Sequence, residues 1–237
     1  VPHRRQRQMC IRDRENAFTK PVFIRVNDAM DAIGREDIDA ISPYQDQIEA
    51  IILPKTQSFD FLATLAPMID FSNKLVPLIE TPRAIDTVTQ IAAFKDVVGL
   101  FFGAADSSAS LGCKLAWEPL LYARQKVVLA AAMYNLFTID APFFYIDDKE
   151  GLKKEAEAVK NLGFTGKAAI HPDQIDFINE SFAPTSEEIA EGKKVLEEYQ
   201  KSGGGAVKID GQMVDEPIAE AMRLKISLGE EAVSYTH

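Results

Sequence analysis

The sequence predicts an α/β domain built on a parallel sheet. Three observations carry this: six short apolar runs bounded by Pro, Gly or a charge, helix-like stretches between them, and a repeat of about 25 to 30 residues per unit. Apolar runs of that kind suit strands buried on both faces, and their alternation with helices suits βα units.

The six strand candidates are "PVFIRVN" (21–27), "AIILPK" (50–55), "KLVPLIE" (74–80), "VVGLFFGAAD" (97–106), "LFTIDAP" (136–142) and "GKAAIHP" (166–172). Helices are expected between them. "SFDFLATLAPMIDF" is interrupted by Pro67, and "PRAIDTVTQIAAF" has Pro82 near its start. "EPLLYARQKVVLAAAMYN" (118–135) is the clearest, and "KEGLKKEAEAVKNLG" closes on Gly163. From Ser186 the pattern changes to a helix, the linker Gly203–Gly204–Gly205, a hairpin-like stretch and a last helix from about Pro217.

Bulk properties narrow the function. With 237 residues and 46% hydrophobic content the chain can bury one sizeable core. A net charge of −10 argues against a nucleic-acid surface, and no apolar run is long enough to span a membrane. Cys10 and Cys113 lie far apart without metal-ligand spacing, which suits a reduced, cytoplasmic protein. The ends differ from the middle. "VPHRRQRQMCIRDR" carries five Arg against one Asp; it and "VSYTH" (233–237) resemble translated sequencing-adapter sequence. The other reading of the first stretch is a disordered basic arm for a polyanion. Residues 1–15 are therefore expected to be non-native or disordered, 16–184 a β/α unit, 185–232 a helical segment and 233–237 a non-native tail.

Each strand candidate closes on a polar group: Arg25 with Asn27, Lys55, Glu80, Asp106, Asp140 and His171. In a parallel α/β barrel the carboxyl ends of the strands share one face, where active sites are built. Glu80 and Asp106, at consecutive strand ends, suit Mg²⁺, a hard cation held by one or two carboxylates with waters. Without a cation two such acids would repel. A lysine ion-paired between them would count against the metal. Arg25 offers a planar fork for a substrate carboxylate. The plainer readings are a helix-capping role for Asp106, a structural ion pair for Arg25 and a hydrogen-bonded structural role for His171. Lys55 reads as an electrostatic or structural partner; an imine there would be tested by borohydride trapping.

"RVN", "LPK", "LIETPRAI", "GLFFGAAD", "GFTGKAAIHPDQI", Phe182-x-Pro184 and "DGQMVDEP" together resemble the HpcH/HpaI aldolase and citrate lyase β-subunit family. Among its members the chain is most similar to CoA-ester lyases acting on malyl-, methylmalyl- or citramalyl-CoA. The resemblance implies a TIM-type (β/α)8 barrel of the phosphoenolpyruvate/pyruvate superfamily with a C-terminal helical lid. It implies Mg²⁺ (Mn²⁺ as a substitute) on Glu80 and Asp106, substrate on Arg25, and Asp215 as an acid–base residue on a lid. An acyl-CoA substrate and a homo-oligomer, trimer or hexamer, with the lid acting in trans are further implications. The family's opening "FVPG" and "DLEDAV" strands are not visible, so the barrel is expected to lack its first two strands. The two open edges are then expected to make the chain as written fold poorly or bind CoA weakly. "LIETPRAI" also lacks the glycine of the commoner "ETARG". The implied reaction is aldol-type cleavage of a β-hydroxyacyl-CoA to an acyl-CoA and an α-keto acid. Alternatives are malyl-CoA thioesterase activity and a non-catalytic or carrier-linked lyase β-subunit.

Overall fold

The computed structural model describes residues 20–69, 71, 74–203 and 205–234. They form two compact units: the chain up to Pro142 with Leu162–Ala168, and Phe143–Asn161 with the chain from Ala169 onward. The second unit therefore gathers most of the helix before β6 together with the C-terminal segment.

The first unit is a six-stranded parallel sheet whose strands follow sequence order. They are β1 (Phe23–Arg25), β2 (Ala50–Leu53), β3 (Leu75–Ile79), β4 (Gly99–Phe102), β5 (Phe137–Asp140) and β6 (Gly166–Lys167). Each lies within one of the apolar runs that the sequence offers. β2 and β3 are buried at every position, which only a sheet covered on both faces allows.

Curvature is visible in one ring pair. Phe23 on β1 and Phe137 on β5 meet edge to face with centroids 5.7 Å apart. Four steps between neighbouring strands, at about 4.8 Å each, would hold them about 19 Å apart in a flat sheet. The sheet must therefore curl, bringing its concave side chains together as in part of a barrel. Ala50, Ile52, Val76 and Leu78 line that concave side, with Val98, Phe101 and Phe137 against them. Gly99 makes the packing possible, because a Cβ there would fall 2.3 Å from the Phe137 ring. Among the described residues no strand precedes β1, and residues 1–19 lie outside them.

The helices of this unit are α1 (Ala32–Ile41), α2 (Phe59–Leu65), α3 (Pro82–Asp86), α4 (Val88–Ala92), α5 (Ala104–Leu111) and α6 (Trp117–Met133). Two departures from the sequence reading matter. The stretch "PRAIDTVTQIAAF" is two helices, broken at Thr87, where ψ reaches 14°. There the Thr87 hydroxyl donates to Arg83 O (2.9 Å) and Gln57 O (3.2 Å), a side-chain bond that competes with the helical ladder. The run 97–106 is not strand throughout: β4 stops at Phe102 and Gly103 opens α5.

In the second unit α7 (Lys149–Leu162) precedes α8 (Ile175–Phe182), α9 (Ser186–Lys201), a hairpin of β7 (Val207–Ile209) and β8 (Gln212–Val214), and α10 (Glu216–Ser234). Asp210 and Gly211 both have positive φ, 49° and 88°, the two-residue turn that matches the twist of a hairpin. Tyr199, Ile209, Val214 and Ala219 bury one small core between α9, the hairpin and α10. The last helix runs through Ser234, so two residues of the expected tail are helical and 235–237 lie outside the described residues, as does Gly204. Among the described residues no helix is long and apolar enough to cross a membrane.

Candidate active site at the carboxyl ends of the strands

Side-chain alternation decides which strand-end groups share a face. Arg25 stands in register with Ile52, a concave-face residue, so it points to the same side, and it is exposed. Glu80 follows β3, two positions beyond Leu78, and continues that row. Its carboxyl is nearly out of solvent, 3% exposed. Thr81 then caps α3 by accepting a bond from Ala84 N (3.1 Å), with Pro82 at the first helical position, so "ETP" turns the chain sharply away.

Asp106 is not a strand-end residue. It occupies the first turn of α5, where an acid is favoured by the positive end of the helix dipole. Its side chain is 57% exposed. The cap position is Gly103, and no side chain caps the helix, so the helix-capping role foreseen for Asp106 is absent.

Lys55 joins the two acids. Its backbone N–H donates to Glu80 Oε1 at 2.8 Å, while its ammonium lies 3.5 Å from the same oxygen and 3.3 Å from Asp106 Oδ1. The two acids thus meet, as expected, and a lysine stands between them. Burial pushes the Glu80 carboxyl above the usual carboxylate range; the Lys55 amide and ammonium pull it down, and the Asp106 carboxylate pushes it up again. For Lys55 burial acts downward, but the two carboxylates outweigh it and raise its pKa. Gly103 sits against Glu80: a Cβ there would come within 2.6 Å of Glu80 Cβ and 3.2 Å of Oε2.

Two strand-end groups belong elsewhere. Asp140 stands in register with Lys167 and points away from the concave side, into the helix layer. It is fully buried, bound by Arg124 Nε (2.8 Å) and Lys167 Nζ (2.8 Å). Arg124 lies over the rings of Phe102 and Trp117, 5.1 and 4.8 Å from their centroids. The sequence reading missed this network. A signal for it exists, since Arg124 occupies the buried stripe of α6 with Leu120, Ala123 and Val127. His171 lies four residues beyond β6, where its Nδ1 accepts from Asp173 N (3.3 Å), in keeping with a structural histidine. Asp215 belongs to the second unit, where its Oδ1 accepts from Ile218 N (3.4 Å) at the start of α10.

The donor set fits a divalent ion of the magnesium type. Among the described residues no three of His, Cys, Asp and Glu gather as a metal site. The pair Glu80–Asp106 supplies two carboxylates, within the one or two that a Mg²⁺ keeping its waters takes. The Lys55 ammonium is ion-paired to both acids, the arrangement that the sequence reading counts against a metal.

The family model for HpcH/HpaI aldolase/citrate lyase matches residues 10–172. Human mitochondrial citramalyl-CoA lyase is 30% identical, over 86% of this chain and 67% of its own length. The citrate lyase subunit beta of Haemophilus influenzae is 29% identical, over 89% of this chain and 77% of its own. A solved structure of CitE from Mycobacterium tuberculosis, in complex with magnesium, acetoacetate and coenzyme A, is 29% identical; it covers 88% of this chain and 78% of its own with a TM-score of 0.75. With these matches and the curled parallel sheet in hand, the chain belongs to the HpcH/HpaI aldolase/citrate lyase family, whose members are carbon–carbon lyases.

Proposed function

We propose that this chain is a Mg²⁺-dependent lyase that cleaves a β-hydroxyacyl-CoA of the malyl-, methylmalyl- or citramalyl-CoA type into an acyl-CoA and an α-keto acid. The observation that carries the proposal is the meeting of Glu80, just beyond β3, with Asp106, in the first turn of the helix that follows β4. The magnesium and coenzyme A held by the CitE relative, and the activity named for the human relative, support the cofactor and substrate class.

Glu80 and Asp106 would hold the ion, which supplies Lewis acidity toward the substrate's hydroxyl and carboxylate oxygens. Arg25, exposed on the concave side, pairs with the negative charge of the keto-acid fragment. In cleavage the β-hydroxyl gives its proton to water, its oxygen becomes the carbonyl of the α-keto acid, and the carbon–carbon bond electrons pass to the thioester α-carbon. Asp215 then delivers a proton to that carbon. Its capping bond to Ile218 explains its presence structurally, so the proton transfer is the part that needs testing.

Lys55 opposes this reading, because its ammonium stands where the ion would bind. Its side chain is 45% exposed, however, and its long stem is free to swing aside. Glu80→Gln should abolish Mg²⁺ dependence and turnover together, and full activity in that variant would overturn the assignment. If the lid acts across subunits, mixing inactive Glu80→Gln and Asp215→Asn proteins should restore turnover in hybrid oligomers; no recovery would place Asp215 in its own chain's site or outside catalysis. The relative named citrate lyase subunit beta favours a second reading, a subunit working on a carrier-bound substrate. Turnover of free acyl-CoA by the isolated chain would exclude it.

A further inference from the structure

We propose that Lys55 is a tethered counter-cation, which holds Glu80 and Asp106 together in the metal-free protein and leaves when a divalent cation binds. The inference rests on the metal-site reading above and adds a role for a residue outside the ligand pair.

Lys55 is attached at two points of different rigidity. Its backbone adopts φ 57°, a left-handed conformation that is uncommon for a residue with a side chain. The amide bond to Glu80 Oε1 at 2.8 Å holds that conformation in place. The ammonium end is looser, with contacts of 3.3 and 3.5 Å and substantial exposure. Both Lys55 contacts fall on Oε1 of Glu80, while Oε2 lies on the side of Gly103. One amide therefore orients the carboxylate in both states while the ammonium comes and goes.

Charge gives the exchange its direction. One ammonium between two carboxylates leaves the cluster at −1, and Glu80 is buried, so the deficit is poorly screened by water. A divalent ion makes the cluster neutral and outcompetes the ammonium. Without any cation the two acids repel, and the lysine removes that penalty in the empty state. Its presence must weaken metal binding, since the ion has to displace it.

The test is Mn²⁺ binding to the full chain at low ionic strength, read from the free-ion paramagnetic resonance signal. Wild type, Lys55→Met, Lys55→Gly and Glu80→Gln are compared, glycine being free to keep the left-handed backbone should methionine disturb folding. Loss of one ammonium this close to two carboxylates should tighten Mn²⁺ binding by about fivefold or more. The metal-free lysine variants should also melt lower than wild type and recover further on adding Mn²⁺. Equal or weaker binding in both lysine variants, with Glu80→Gln defective, overturns the counter-cation role and leaves the metal site standing. Wild type that binds no better than Glu80→Gln overturns the metal site itself, and the inference with it.

Discussion

Replacing Asp140 by Asn tests how the buried charges behind the sheet are balanced. The change keeps the side-chain volume and removes one negative charge. Asp140 receives Arg124 Nε at 2.8 Å and Lys167 Nζ at 2.8 Å, and Lys167 also donates to Ala141 O at 2.7 Å. The three side chains are no more than 3% exposed, so the amide would leave two cations out of water without the carboxylate that binds them both. Removing one partner from such a buried arrangement costs about 3–5 kcal/mol. At about 2–4 °C per kcal/mol for a chain of this size, the melting point should fall by about 6–20 °C. Trp117 is the single tryptophan of the chain and lies 4.8 Å from the Arg124 guanidinium, so its fluorescence reports unfolding at the affected place. Asp86→Ala is the control: Asp86 meets Lys126 at 3.4 Å but is 85% exposed, and its loss should cost less than about 1 kcal/mol. An Asp140→Asn protein within about 1 kcal/mol of wild type would refute the assignment of Asp140 as the anion that these cations require.

Gly103→Ala is a steric test of the acid pair. Gly103 has φ −101°, which alanine adopts freely, so the effect comes from the added methyl alone. With Glu80 Cβ at 2.6 Å and little room to yield, the variant should lose about 1–3 kcal/mol of stability and at least about tenfold in Mn²⁺ affinity, measured by melting and by titration. In the second unit, Thr185 accepts from Glu188 N (3.1 Å) while Glu188 Oε2 accepts from Thr185 N (2.9 Å), a reciprocal cap on α9. Thr185→Ala should cost about 1 kcal/mol, seen as faster amide exchange in the first turn of α9 with the sheet unaffected.

Much of the fold was legible because its strands are buried on both faces. An uninterrupted apolar run is a strong signal, and all six runs contain a strand. The weaker signals failed for physical reasons. α1, "AIGREDIDAI", buries only Gly34 and Ile38 while Ile33 is exposed, so its apolar residues do not mark the face that packs. The break at Thr87 depends on a hydroxyl reaching Gln57 O, thirty positions away in sequence. Asp106 was placed on a strand because "GAAD" extends the apolar run, whereas its small residues form the first turn of α5. Lys55 was recognised as an electrostatic partner, but nothing local in "LPK" reveals a left-handed backbone bonded to Glu80.

Glu80 and Asp140 show most clearly where sequence reasoning runs out. Both end an apolar run, and both are buried beneath the sheet's carboxyl edge. Two-sided burial removes the polar alternation that would tell which way a terminal residue points, so the two look alike in the sequence. Their cations separate them. Asp140 has two, from Arg124 and Lys167, and every one of these groups is sealed from water, so its carboxylate is already matched by fixed cations. Glu80 and Asp106 share one, a half-exposed lysine, and retain a negative charge. An acid matched by fixed, buried cations is scaffolding, and a pair of acids with too few is the arrangement on which the proposed metal site rests. Partners contributed from 16 and 27 positions away in the one case and 25 and 51 in the other make that ratio, and only the folded chain brings them together.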